Sequence, residues 1–385
     1  MNETIDNILS TLEASGNLRA IPREVNDSRV DFSSNDYLGL ADDLDLRREF
    51  MASLNVAGFE MSASASRLLA RKQNRFTAFE DTLSEAYGHG RKALVFNSGY
   101  HANTGLVSAF AGTNGHIIAD KLVHASIIDG IKLSGLPFDR FRHNDTAHLD
   151  RLAAKAVAGG HTPIIIAESI YSMDGDSAPL ADLAEIKKRY PGALLYIDEA
   201  HGVGVAGNAG LGLCTADGTF EHVDIMVGTL GKALASTGAY AIVSPRLRSF
   251  MVNKARSLIF STAIPPLSVE WSRFIFTRML GMDSRRERLR RLATLLSEEL
   301  AAIGAHTLPS HIQPVVVGSP TKAVALSRSL ADAGYEVLPI RTPTVPPGTD
   351  RLRLSLSAAI TPEQIKGLGN ALRATFSSTD NISAQ

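Results

Sequence analysis

From about Phe76 to Phe260 the chain alternates between short, mostly apolar runs and longer stretches with helical spacing. The runs are Ala93–Phe96, His116–Ala119, Ile164–Ala167, Leu194–Ile197, Ile225–Val227 and Ala239–Val243. Short runs with no polar face predict strands covered on both sides, as parallel strands are. The intervening stretches include Phe76–Tyr87, with Phe76, Phe79 and Leu83 on one side, and Ala181–Tyr190. Strand–helix alternation of this kind predicts an α/β fold with a mostly parallel central sheet under helices.

The pattern changes from about Asp283. Arg285–Ile303 reads as one long amphipathic helix with Leu289, Leu292, Leu296 and Leu300 inward. Ser319-Pro320 opens a second helix, a strand follows near Val337–Ile340, and Thr361-Pro362-Glu363 starts a last helix. In that last start Thr serves as cap and Pro takes the first helical position. These features predict a smaller C-terminal α+β domain. Upstream, Ile5, Ile8, Leu9 and Leu12 follow helical spacing. The expected organisation is an N-terminal helix and arm (1–45), a large domain (46–275) and a small domain (276–385), with a frayed tail from about Ser377.

Composition narrows the class. Of the 385 residues 44% are hydrophobic and 21% charged, as in ordinary globular domains with a sizeable core. The formal net charge of −1 supplies no attraction for nucleic acid or an anionic membrane. Cys214, the one cysteine, excludes an internal disulfide and fits a reducing compartment; it reads as packing. No apolar run approaches the ~20 residues of a membrane span. The first residues carry acids where a signal peptide needs basic ones, so the expected location is the cytoplasm. No metal is called for.

Gly202-Val-Gly-Val-Ala-Gly207 matches the dinucleotide-binding pattern G-x-G-x-x-G, but Gly210 and Gly212 stand where its helix should run. Gly228–Lys232 fails as a P-loop, because its glycines are too close and Ala233 replaces the hydroxyl residue. Asp198-Glu-Ala-His201 closes one predicted strand, and Thr229-Leu-Gly-Lys232 closes the next. Either alone reads as a polar strand end or a surface lysine. Together, at the strand ends where open α/β sheets bind ligands, they supply what pyridoxal phosphate (PLP) requires. Lys232 would hold the aldehyde as a Schiff base, and a carboxylate would keep the pyridine nitrogen protonated. Asn97-Ser-Gly-Tyr100, between strand and helix, is suited to present N–H groups to a phosphate, and Thr229 could add a hydroxyl. His124, after a further strand, is placed to stack on the ring.

The blocks SSNDYLGL (33–40), NSGYHAN (97–103), DKLVHASI (120–127), SIYSMDGD (169–176), IDEAHGVG (197–204), GTLGKAL (228–234) and FSTAIPP (260–266) carry a resemblance. Over residues 5–370 the chain resembles the α-oxoamine synthases, a subgroup of the fold-type-I PLP enzymes. The block IRTPTVPPGTDRLRLSLSAA (340–359) is most similar to the biotin-pathway members. That resemblance implies condensation of L-alanine with a pimeloyl thioester, on CoA or an acyl carrier protein, with loss of CO2. A sibling synthase using glycine and another acyl-CoA is the alternative. It further implies Lys232 as the Schiff-base lysine, Asp198 on the pyridine nitrogen, His201 on the phenolic oxygen and His124 against the ring. Gly99, Tyr100, Ser172 and Thr229 would contact the cofactor, and Thr262 the phosphate in the partner subunit of a homodimer. Arg353 would grip the amino acid's carboxylate, with Arg19, Asn35 and Thr344 along the substrate path. Ser62–Arg67, Lys72–Arg75 and Tyr100, where Phe is common, depart from the family's pattern.

Overall fold

The structure, a computed structural model, describes residues 1–21, 28–55, 58 and 60–377. The tail beyond Ser377 lies outside the described residues. The chain gathers into two compact units. The larger contains Leu38–Ser172 and Ser177–Arg286; the smaller contains Met1–Tyr37, Met173–Asp176 and the chain from Glu287 onward.

The larger unit is built on a seven-stranded sheet. Its strands are β1 (Lys92–Phe96), β2 (Gly115–Asp120), β3 (Phe138–Phe141), β4 (Thr162–Glu168), β5 (Leu194–Asp198), β6 (Ile225–Thr229) and β7 (Ala239–Val243). They lie in the order β1-β7-β6-β5-β4-β2-β3. All neighbours are parallel except β7, which runs antiparallel to both β1 and β6. Ala239 is the register partner of Phe96 on one side and of Thr229 on the other, so β1 and β6 run the same way and end level.

Each predicted apolar run is a strand here, and β2, β4, β5, β6 and β7 are buried over almost their whole length. Helices Gly99–Ser108 and Ala125–Ser134 bury Leu106, Ile127 and Ile131 in one apolar cluster with Ile117, Ile166, Val227 and Ala241 of the sheet. The alternation prediction therefore holds. Edge strand β3 was not foreseen, since Phe-Asp-Arg-Phe is short and mixed in polarity.

Helix Asp283–Ala301, part of the smaller unit from Glu287 on, fulfils the long amphipathic prediction, with Leu289, Leu292, Leu296 and Leu300 buried. Ser319 caps helix Pro320–Asp332 through its side chain, and Thr361 accepts from Gln364 N–H at the start of helix Pro362–Ser377. A three-stranded antiparallel sheet has Arg351–Ser355 (β10) between Leu338–Ile340 (β9) and Ile312–Val316 (β8). The expected strand near Val337–Ile340 is β9, preceded by a separate strand, Tyr335–Glu336, paired with Val30–Asp31. Helix Asn2–Ala14 forms as its spacing predicts, with Ile5, Ile8, Leu9 and Leu12 exposed. Among the described residues no helix is long and apolar enough to cross a membrane.

Candidate active site

The carboxyl ends of β4, β5 and β6 open on a cavity of about 270 Å3 in the larger unit. Asp198, the last residue of β5, is 3% exposed. Its Oδ2 accepts from Asn103 Nδ2 at 2.7 Å, and its Oδ1 accepts the backbone N–H of Ala200 at 2.9 Å. Three residues past the strand the chain turns and presents His201, whose Nε2 lies 2.8 Å from Lys232 Nζ. Lys232 sits in a tight turn after β6, closed by hydrogen bonds from Leu230 N–H to Gly238 and from Ser236 N–H to Leu230. Two separate strand–turn units thus bring Lys232, His201 and Asp198 into one cavity.

The other wall is the start of helix Gly99–Ser108, capped by Ser98, whose hydroxyl accepts from His101 N–H. Gly99 is required there: a Cβ would stand 2.7 Å from the Thr229 methyl. Thr229 donates its hydroxyl to the Ala200 carbonyl at 3.2 Å, and Tyr100 donates its own to Asp129 at 2.6 Å. His124 caps helix Ala125–Ser134, its Nδ1 accepting the N–H of Ser126. Burial pushes the His124 imidazole below its usual range, so the ring is neutral near pH 7; Asp198 opposes that shift and Lys232 reinforces it. Gly99, Tyr100, His124, Asp198, His201, Thr229 and Lys232 all line the cavity. Ser172 is buried outside that lining, and Thr262 is exposed, its carbonyl accepting from the Asn97 amide.

The remaining predicted residues belong to the smaller unit and pair among themselves. Arg353, 4% exposed on β10, donates to Ser355 Oγ at 2.7 Å and to Asn35 Oδ1 at 3.2 Å. Tyr37 donates to the same Asn35 oxygen at 2.9 Å, and burial raises this phenol to about 12. Arg19 donates to Thr344 Oγ1 at 3.0 Å.

Comparison with known proteins follows the same lines. The model of the aminotransferase class I and II family matches residues 27–372. The chain belongs to that family. An 8-amino-7-oxononanoate synthase of Chlorobaculum parvum is 48% identical over 89% of this chain and 88% of its own. A serine palmitoyltransferase solved as its PLP internal aldimine superposes with a TM-score of 0.86 at 28% identity, covering 97% of both chains. An 8-amino-7-oxononanoate synthase from Francisella tularensis superposes with a TM-score of 0.75 at 27% identity, covering 90% of this chain and 98% of that one.

Two residues of this cavity were not legible in the sequence. Glu168 ends β4 directly opposite Asp198 in register and lines the cavity at 2% exposure. Among the described residues its Oε1 has no hydrogen-bond partner. Burial, and then the charge of Asp198, raise its carboxyl to about 8, against the opposing effects of Lys232 and the His124 N–H. The signal was a carboxylate closing an otherwise apolar run, as Asp198 does one strand away. Asn103, one helical turn after Gly99, was the second: a buried amide among Ala102 and Leu106 needs partners.

Proposed function

We propose that this chain condenses L-alanine with a pimeloyl thioester, releasing CO2 and the free thiol to leave 8-amino-7-oxononanoate, a step of biotin synthesis. The observation that carries the chemistry is the single cavity holding Lys232, His201, Asp198 and neutral His124. The choice of substrates rests on the relative that is 48% identical over most of both chains.

The residues fit PLP. Asp198 keeps acceptor capacity beyond its two N–H donors, enough for a pyridine N–H. Gly99 opens a ten-residue helix whose first N–H groups would receive a phosphate. When bound, PLP supplies an electron sink for negative charge developing at the amino acid's α-carbon. Lys232 Nζ would hold the cofactor aldehyde, and as a free amine it would take the α-proton of alanine. Asp198 would hold the pyridine proton, His201 would donate to the phenolic oxygen and His124 would stand against the ring. Gly99, Tyr100 and Thr229 receive the phosphate end, Ser172 supports the cofactor, and Thr262 serves the partner subunit's phosphate in a homodimer. Arg353, its guanidinium oriented by Ser355 and Asn35, binds the alanine carboxylate as a fork. Arg19 and Thr344 line the acyl donor's path. The carrier is CoA or an acyl carrier protein, and the enzyme works in the cytoplasm.

Thiol release measured with pimeloyl-CoA against alanine, glycine and serine tests this reading. Alanine should be used fastest, by roughly 10–200-fold over glycine, because one methyl in a fitted pocket contributes ~1–3 kcal/mol. Faster turnover of glycine or serine would reassign the substrate and leave the cofactor site standing.

A further inference from the structure

Between Asp198 and His124 runs a chain of hydrogen bonds in which every donor and acceptor can be assigned. The Tyr196 hydroxyl donates to Asn103 Oδ1 at 2.6 Å. Burial, reinforced by Asp198, raises that phenol well above its ordinary range, so it keeps its proton. Asn103 Nδ2 donates to Asp198 Oδ2 at 2.7 Å and to Ser126 Oγ at 2.9 Å. A carboxylate only accepts, which fixes the amide end that faces Asp198. Ser126 Oγ accepts from Asn103 and lies 2.7 Å from His124 Nδ1; because the backbone N–H of Ser126 already donates to that nitrogen, the proton between the two is the hydroxyl's. The backbone N–H of Ser126 reaches the same nitrogen at 3.2 Å. A ring nitrogen that accepts from two donors carries no proton, so the neutral imidazole keeps its proton on Nε2.

We propose that Asn103 is a positioning residue that locks His124, through Ser126, in the Nε2–H tautomer while orienting one oxygen of Asp198. One amide thereby sets both groups that would meet the two sides of the cofactor ring. In that respect the inference rests on the PLP reading above. Asn103, Ser126 and Asp198 are almost fully buried, so no solvent competes for these bonds. Removing the amide leaves Asp198 Oδ2 and the Tyr196 hydroxyl without partners and frees the Ser126 proton to turn elsewhere.

The test is a long-range proton–nitrogen correlation spectrum of PLP-loaded protein labelled with 15N in its histidine rings, recorded at pH 8. His124 is assigned by loss of its signals in His124→Gln. Wild-type His124 should show a bare Nδ1 and a protonated Nε2. In Asn103→Leu and in Ser126→Ala the ring should pass to a mixture of tautomers. PLP should bind Asn103→Leu roughly 10–100-fold more weakly, as for a buried partner lost. A protonated Nδ1 in the wild type, or an unchanged tautomer in both variants, overturns the proposal. Lower stability of Asn103→Leu with an unchanged tautomer does the same, because it leaves only a packing role. Should Asn103→Leu fail to fold, the wild type and Ser126→Ala decide alone. Should the protein take up no PLP, the functional reading falls, and the tautomer in the protein as purified still decides this proposal.

Discussion

Asp198 and Glu199 are neighbours in the chain, yet they serve two different regions at the end of β5. Asp198 faces the cavity with acceptor capacity to spare. Glu199 turns into a closed knot, where it accepts from Ser169 Oγ at 2.5 Å, Leu213 N–H at 2.9 Å and Cys214 N–H at 2.7 Å. The knot explains the misleading glycine pattern after β5. A Cβ on Gly202 would lie 1.9 Å from Glu199 Oε2, and one on Gly212, at φ +108°, would lie 2.7 Å from its carboxyl carbon. These glycines make room for a buried carboxylate, and the segment forms turns and 3-10 helices where a dinucleotide fold has an α-helix. Of two adjacent acids at one strand end, one keeps acceptor capacity on the cavity and the other is taken up by three donors of the knot.

The contrast can be broken by substitution. Lys232→Ala should have the largest effect, cutting thiol release by on the order of 10²–10⁴-fold with the melting temperature nearly unchanged. Borohydride reduction of the wild type followed by peptide mapping should place the pyridoxyl group on Lys232; labelling elsewhere sinks the assignment. On the knot side the pattern should invert. Glu199→Gln and Gly202→Ala should each cost about 1–3 kcal/mol in denaturant unfolding while the folded fraction keeps its kcat. A collapse of kcat without a loss of stability would erase the distinction drawn here.

Arg353→Lys should raise the KM for alanine by roughly 10–100-fold, since a point charge cannot reproduce the fork. The KM for the thioester should barely move, and equal effects on both would remove the carboxylate role. The last change, confined to pH dependence, concerns Glu168. Its folded carboxyl holds its proton up to about pH 8, whereas the unfolded chain loses it near the ordinary value of 4.5. The stability this proton confers is therefore full below about pH 4.5 and is lost as the pH rises through about 8. Glu168→Gln has no proton to lose, so thermal unfolding should show the variant gaining on the wild type between pH 5 and 8. The gain should be at most ~1.4 kcal/mol per pH unit. A constant difference across that range would mean that Glu168 is ionised in the folded protein.

Much of this arrangement was legible in the sequence. Apolar runs located six of the seven central strands, because strands buried on both faces tolerate little else. Lys232 and Asp198 were legible because each closes such a run. Strand β10 was not, since Arg351-Leu-Arg-Leu-Ser alternates like a surface strand although both arginines are buried. Their partners, Asp174 for Arg351 and Asn35 for Arg353, are distant in sequence and invisible to any local pattern. Asn103 and Glu168 stayed hidden for the same reason: what distinguishes them is a hydrogen bond made, or left unmade, across the sheet.

The placement of β7 bears on how the chain is made. β1 has one neighbour in the sheet, β7, and emerges from the ribosome long before it. At about 5–20 residues per second, Phe96 waits on the order of ten seconds for Ala239. Until then the apolar Ala-Leu-Val-Phe run has no strand to pair with, and the glycine that follows it cannot meet Thr229. During synthesis the lysine turn and the helix start at Gly99 are therefore strangers, and the arrival of one antiparallel strand introduces them.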